Sequence, residues 1–215
     1  MKKIIASVFA AALLFAGTNA FAQMSVAAGW VNATDKVVST VGSNSSTSTQ
    51  DLNGFFAGIS YNLSLGVVDG LGLAPGAFVQ GLFGADDNDY KYTDFSLNVP
   101  INVNYGLELA SDFKIVAFTG PVVQVGLVKK SSYTSGSNTN TTDYYAGDNP
   151  YNRFNVLWGV GAGFEVNEKY QIMVGADFGL IPQYKGEYTI PIIGTKTTRT
   201  ATRPTQIKIG FGYNF

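Results

Sequence analysis

Histidine and cysteine are both missing from this 215-residue chain. Without histidine there is no imidazole to act as a general base, to bridge a Ser-His-Asp triad or to ligate a metal, and these are the side chain's commonest roles. Without cysteine there is no thiolate nucleophile, no cysteine–metal site, no disulfide and no lipobox position for a lipid anchor. Charge is scarce too. Charged residues make up 13% of the chain and the net charge is −1, which leaves no electrostatic footprint for a nucleic-acid partner. Aromatics also reach 13% and there are 25 glycines. Such a low charge density suits a water-facing surface poorly, so the outer surface is expected to face something other than water.

The chain opens with "MKKIIASVFAAALLFAGTNAFAQ". Lys2 and Lys3 form a basic start, Ile4 to Ala16 an apolar run, and Ala20-Phe21-Ala22 a small-residue cleavage site. Residues 1–22 are therefore expected to be a signal peptide, and residues 23–215 one exported domain beginning at Gln23. The apolar run falls short of the roughly 20 residues of a spanning helix. After Gln23 no window holds 18 consecutive apolar residues.

What recurs instead is period two. In "DFSLNVPINVNYGLEL", Phe95, Leu97, Val99, Ile101, Val103, Tyr105 and Leu107 oppose Ser96, Asn98, Pro100, Asn102, Asn104, Gly106 and Glu108. "NGFFAGISYNL" puts Phe55, Ala57, Ile59, Tyr61 and Leu63 on one parity, with Phe56 the exception. The terminal "IKIGFGYNF" alternates throughout. Similar runs over residues 25–32, 73–83, 113–128, 153–166 and 169–180 bring the strand candidates to eight.

The connections alternate in length. "SLGVVDGLG", "ASD" and "NEK" are short, whereas four Ser-, Thr-, Asn- and Tyr-rich stretches, among them "ATDKVVSTVGSNSSTSTQ", are long. This layout predicts an all-β, eight-stranded antiparallel up-and-down transmembrane barrel, with long extracellular loops and short periplasmic turns. The same count places Tyr61, Tyr105, Tyr170, Tyr213 and Phe215 at the periplasmic rim as an interfacial girdle, with Trp30, Phe55, Phe95 and Phe154 toward the other rim. A soluble lipocalin-like barrel would share the strand count, but its polar parity would face water. Here that parity is mostly Gly, Asn, Ser and Gln, which suits a narrow packed lumen.

The stretches "FSLNVPINVNYGLEL", "GVGAGFEV" and "IKIGFGYNF" resemble the small outer-membrane beta-barrel domain family, porin-like or PorT-like, of the Bacteroidota type. The architecture is also similar to OmpA-like eight-stranded barrels. The resemblance implies a location in the bacterial outer membrane and contact with its lipid. The final aromatic residue resembles the C-terminal signal read by the barrel assembly machinery. Known barrel enzymes resemble one another in needing a catalytic histidine, which this chain lacks.

"GVGAG" has the wrong spacing for a phosphate-binding loop, and its glycines share one parity, as a tight lumen requires. Glu108, Lys114, Glu165, Asp177 and Lys208 fall on the lumen parity, with Arg153 near the outer rim. Structural ion pairing is the expected role for these six charges, since charge in a narrow lumen must be compensated. Asp177 and Lys208 are expected at comparable heights on adjacent strands. No catalytic, cofactor-binding or metal-binding residue is expected, and no cofactor. The loops suit a surface ligand, so the expected function is a structural or surface-binding barrel without catalysis. The alternative is a narrow porin-like channel for small solutes, which the bore of eight strands disfavours.

Overall fold

The computed structural model describes residues 22–85, 90–135, 137–147, 151–190 and 195–215. The expected signal peptide lies outside them except for Ala22. Ten antiparallel strands are present among the described residues: β1 (Ala22–Val41), β2 (Asn44–Ser64), β3 (Leu71–Ala85), β4 (Tyr90–Ala110), β5 (Phe113–Ser135), β6 (Asn138–Asp143), β7 (Phe154–Val166), β8 (Tyr170–Gly179), β9 (Tyr184–Ile190) and β10 (Thr195–Asn214). Eight of them form the wall in the order β1-β2-β3-β4-β5-β7-β8-β10, and β10 returns to pair with β1 from Ser25↔Asn214 to Val41↔Thr197. The short β6 and β9 pair with the outer parts of β5 and β10.

Alternation decides which face is which. Val31, Gln80, Asn98, Gln124, Asn155, Gln206 and Asn214 point inward and are buried, whereas Trp30, Phe55, Val79, Ile101, Phe164, Ile172 and Phe211 point outward and are exposed. Ile172 is 58% exposed while Gln206 is 0% exposed, the reverse of a soluble barrel. A surface of this kind is stable only in lipid, where closure of the wall also removes every unpaired edge. The outward Trp158 fits that setting, since its indole N–H donates to Thr119 Oγ1 at 3.0 Å. No helix among the described residues is long and apolar enough to cross a membrane.

Of the three connections expected to be short, two are tight, and residues 65–70 between β2 and β3 make a six-residue turn. Residues 111–112 link β4 to β5, and residues 167–169 link β7 to β8, where Asn167 and Glu168 both take positive φ, 53° and 58°, as the central residues of a type I′ turn require, and the Lys169 N–H donates to the Val166 carbonyl at 3.1 Å. The long stretches differ from the expectation of irregular loops. β1 and β2 stay paired up to Val41↔Asn44, and β4 and β5 up to Tyr90↔Tyr133. Ser, Thr and Tyr alternate well enough to continue a ladder once the wall has set the register, which composition alone did not reveal. Two extracellular sheets result, β2-β1-β10-β9 and β3-β4-β5-β6.

Two irregularities shape the interior. Leu127 is an extra residue on β5, because Phe95 pairs with Val128 but Ser96 with Gly126. β10 carries an extra residue beside Arg203-Pro204, because Thr34 pairs with Thr205 but Lys36 with Thr202. Each bulge moves the following residues to the other face of the strand.

Candidate functional site

The lumen is the candidate site, and its contents change from the extracellular end downward. At the top, where the two sheets leave the wall, four charges meet. Arg203 Nε donates to Asp35 Oδ1 at 2.7 Å and Nη2 to Asp94 Oδ2 at 2.7 Å. Lys129 Nζ lies 2.6 Å from Asp35 Oδ2 and 3.3 Å from Asp94 Oδ2, and donates to Gln183 Oε1 at 3.0 Å. Asp35 and Arg203 come from one sheet, Asp94 and Lys129 from the other, so two of the four contacts tie the sheets together. Arg203 is 1% exposed. Burial alone would raise the Asp35 pKa, but Arg203 and Lys129 outweigh it and hold the carboxyl well below the usual range.

Tyrosines roof this quartet. Tyr151 stacks on Tyr184 with centroids 4.9 Å apart and contacts Tyr144 at 5.0 Å, while Lys129 lies 5.8 Å from the Tyr151 centroid. Burial, opposed in part by Arg199, pushes the Tyr151 phenol up to about 12. Arg153 at the head of β7 donates to the carbonyls of Leu127 at 2.9 Å and Gly126 at 3.3 Å, capping the bulge, and stacks 4.4 Å from the Tyr145 centroid. Beside the quartet Val31, Ala33, Leu52, Phe56 and Leu82 form a small apolar cluster.

Below lies a belt of amides. Gln80 donates to Gln206 at 2.5 Å, Asn98 to Gln80 at 3.0 Å, Gln124 to Asn98 at 2.9 Å, and Asn155 to Gln124 at 3.3 Å. The chain runs from β10 through β3, β4 and β5 to β7, so it crosses the bore as well as following the wall.

The periplasmic half is looser. Lys208 Nζ donates to Asp177 Oδ2, with the two residues diagonal in the ladder, since Gln206 faces Asp177 and Lys208 faces Gly175. Glu165 accepts from Gln171 Nε2 at 2.7 Å and Asn214 Nδ2 at 3.0 Å, with Lys114 Nζ 3.9 Å away. Large rings lie on glycine: a methyl added at Gly161 would overlap Phe118, and one at Gly210 would sit 2.7 Å from Phe56 Cζ. Above the lower turns a cavity of about 170 Å³ remains, reaching Gly70 and Gly106 at the periplasmic end. No group of three or more acidic residues able to hold a metal ion occurs among the described residues.

Residues 7–215 match the outer membrane protein beta-barrel domain. The chain belongs to that family. This outer-membrane barrel resides in the bacterial outer membrane, with lipid-facing apolar rows and an amide-filled interior. No curated protein matches it. Among solved structures it is similar to Ail, the attachment invasion locus protein of Yersinia pestis, at 10% identity over 90% of this chain and 98% of that one, with TM-score 0.43. It is similar to the outer membrane protein OprG of Pseudomonas aeruginosa at 14% identity over 90% and 95%, with TM-score 0.47. It is also similar to the outer membrane protease OmpT of Escherichia coli at 11% identity over 93% and 99%, with TM-score 0.42. At these identities the likeness concerns the fold.

Of the residues singled out by sequence, the barrel brings Asp177 to Lys208 and Lys114 toward Glu165. Glu108 faces Lys114 in the ladder and is exposed at the rim. Arg153 stands apart from them at the opposite end. Tyr170, Tyr213 and Phe215 form a run of ring contacts at 5.6 and 5.1 Å, and Tyr61 and Tyr105 lie outward on β2 and β4 at the same end. Sequence reasoning missed the quartet. Asp35 and Asp94 sit on the inward parity of β1 and β4, Asp94 as the first residue of its alternating run and Asp35 three residues past the end of its own, so carrying the parity to and beyond the ends of those runs would have found them. Lys129 and Arg203 follow bulges, and no local signal marks them.

Proposed function

We propose that this outer-membrane barrel has a structural or surface-binding role through its extracellular hairpins, without catalysis and without steady conduction. The single observation that carries the reading is the crossing of the bore by the charge quartet and the amide belt. Solute passage would have to break a buried, hydrogen-bonded network, and a half-satisfied one is costly. The lumen carboxylates support the absence of catalysis: Asp177 is paired with Lys208, and Glu165 accepts from two amides, so both are engaged in contacts within the wall. The extracellular sheets present Ser, Thr and Tyr on paired strands, a composition suited to adaptable hydrogen bonding with a surface ligand. Outer-membrane lipid covers the apolar rows, and β10 together with the Phe215 that follows it is the segment we assign to the assembly machinery.

Planar-bilayer recording of refolded protein tests the reading. Little steady conductance is expected. A large, stable conductance would replace it with the narrow porin-like channel.

A further inference from the structure

We infer that the periplasmic half of the lumen is a binding site for a neutral, single-ring molecule bearing one hydrogen-bond donor, entered from the periplasm. The cavity measures about 170 Å³, and its wall includes Gly70 and Gly106 beside the periplasmic turns. Its roof is the amide belt at Asn98, so a ligand that enters from below goes no further. An apolar protein cavity of about 150 Å³ suffices to hold a benzene ring.

Three features of the wall select the chemistry. Phe56, Phe78 and Phe118 line the cavity together with Met173, and these groups offer water no hydrogen bond. Displacing water from such a surface with an apolar ring is favourable. The charged residues on the wall are two cations, Lys114 and Lys208, and two carboxylates, Glu165 and Asp177, and they are placed as pairs. An ionic ligand therefore meets no net charge and would compete with a contact already made. Asn102 also lines the cavity; its Oδ1 has no hydrogen-bond partner and is turned away from the open space, so the amide must rotate toward the cavity for a donor there to reach it. A buried acceptor of this kind is costly until a donor reaches it. A ligand hydroxyl supplies that donor, while its ring covers the phenylalanines.

The inference goes beyond the surface role of the hairpins and fails separately from it, because conductance reports on the belt and quartet whereas occupancy reports on the space beneath them. The experiment uses full-length mature protein refolded in detergent, with methyl-labelled methionine and valine, titrated with phenol and in parallel with toluene. Saturable contacts from phenol to the Met173 and Val122 methyl groups are expected, with toluene weaker by about tenfold or more, as at sites built around a hydroxyl. In Asn102→Leu, phenol should weaken by about tenfold while toluene does not. If that variant fails to refold, the comparison of phenol with toluene on the wild-type protein decides alone. Contacts confined to the outward methyls of Val160 and Val174, which would mean partition into the detergent shell, overturn the inference. Equal binding of phenol and toluene by the wild-type protein overturns it as well.

Discussion

The extracellular and periplasmic halves of the lumen are built from the same eight wall strands, yet they treat buried charge differently. In the upper half, four charges drawn from β1, β4, β5 and β10 share contacts, so each carboxylate has two cations. In the lower half the charges sit in separate pairs beside open space, and Lys208 keeps 21% of its side-chain surface. The difference traces to the backbone. Two bulges turn Lys129 and Arg203 inward at one level, whereas the lower strands keep their register except at the rim, between Glu108 and Ala110, and place glycine where rings need room. Charge density follows local irregularity, and open volume follows regular alternation with small residues.

Breaking the upper half should have the largest effect. Arg203→Met leaves Asp35 and Asp94 with Lys129 as their shared cation. The loss of stability should be about 3–5 kcal/mol, measured as the denaturant midpoint in detergent. Next comes the packing of the lower half: Gly161→Ala forces Phe118 off its seat and should cost about 1–3 kcal/mol, whereas Gly147→Ala outside the barrel wall should leave the Phe118 resonances in place. A smaller effect is expected at the lower ion pair, where the cavity gives an orphaned charge some access to water. Asp177→Asn or Lys208→Met alone should cost about 1–2 kcal/mol, and the double variant should recover most of the loss. Simple additivity in the double variant would show that the two charges act independently.

The mildest perturbation is alkali. The Tyr151 phenol titrates near 10 in an unfolded chain but at about 12 in the barrel, so the folded state holds its proton more tightly. A raised value of this kind gives stability that is complete below about pH 10 and is lost as pH rises through the folded value. The tyrosine roof should therefore loosen between about pH 10 and 12, read from tyrosinate absorbance, while the methyl signal of Met173 in the lower half stays unchanged. Tyr151→Phe should remove that part of the transition.

Period two was enough to read the wall, its lipid face and its short turns, because one-residue alternation maps directly onto two sides of a closed sheet. The extracellular ladders were hidden, since Ser and Thr runs such as "NSSTSTQ" favour neither face strongly and take their pairing from the wall below. Phe56, which broke the pattern of β2, turned out to face inward and fill the apolar cluster above Gly210. The quartet stayed out of reach for a different reason. Counting parity outward from the long runs puts Lys129 and Arg203 on the wrong face, and only tertiary pairing shows where an extra residue resets the count.

The seam between the first and last strands joins residues far apart in the chain. Ser25 hydrogen-bonds Asn214 at 2.5 Å across 189 positions of sequence, and Asn214 also donates to Glu165 and to the Glu168 carbonyl. Until β10 is laid down, β1 and β8 both present open edges that a hydrocarbon layer cannot satisfy. A shortened or stalled chain therefore has no partly working form. Genetic damage at this seam should register as missing protein in the membrane fraction, with any surviving molecules behaving as wild type.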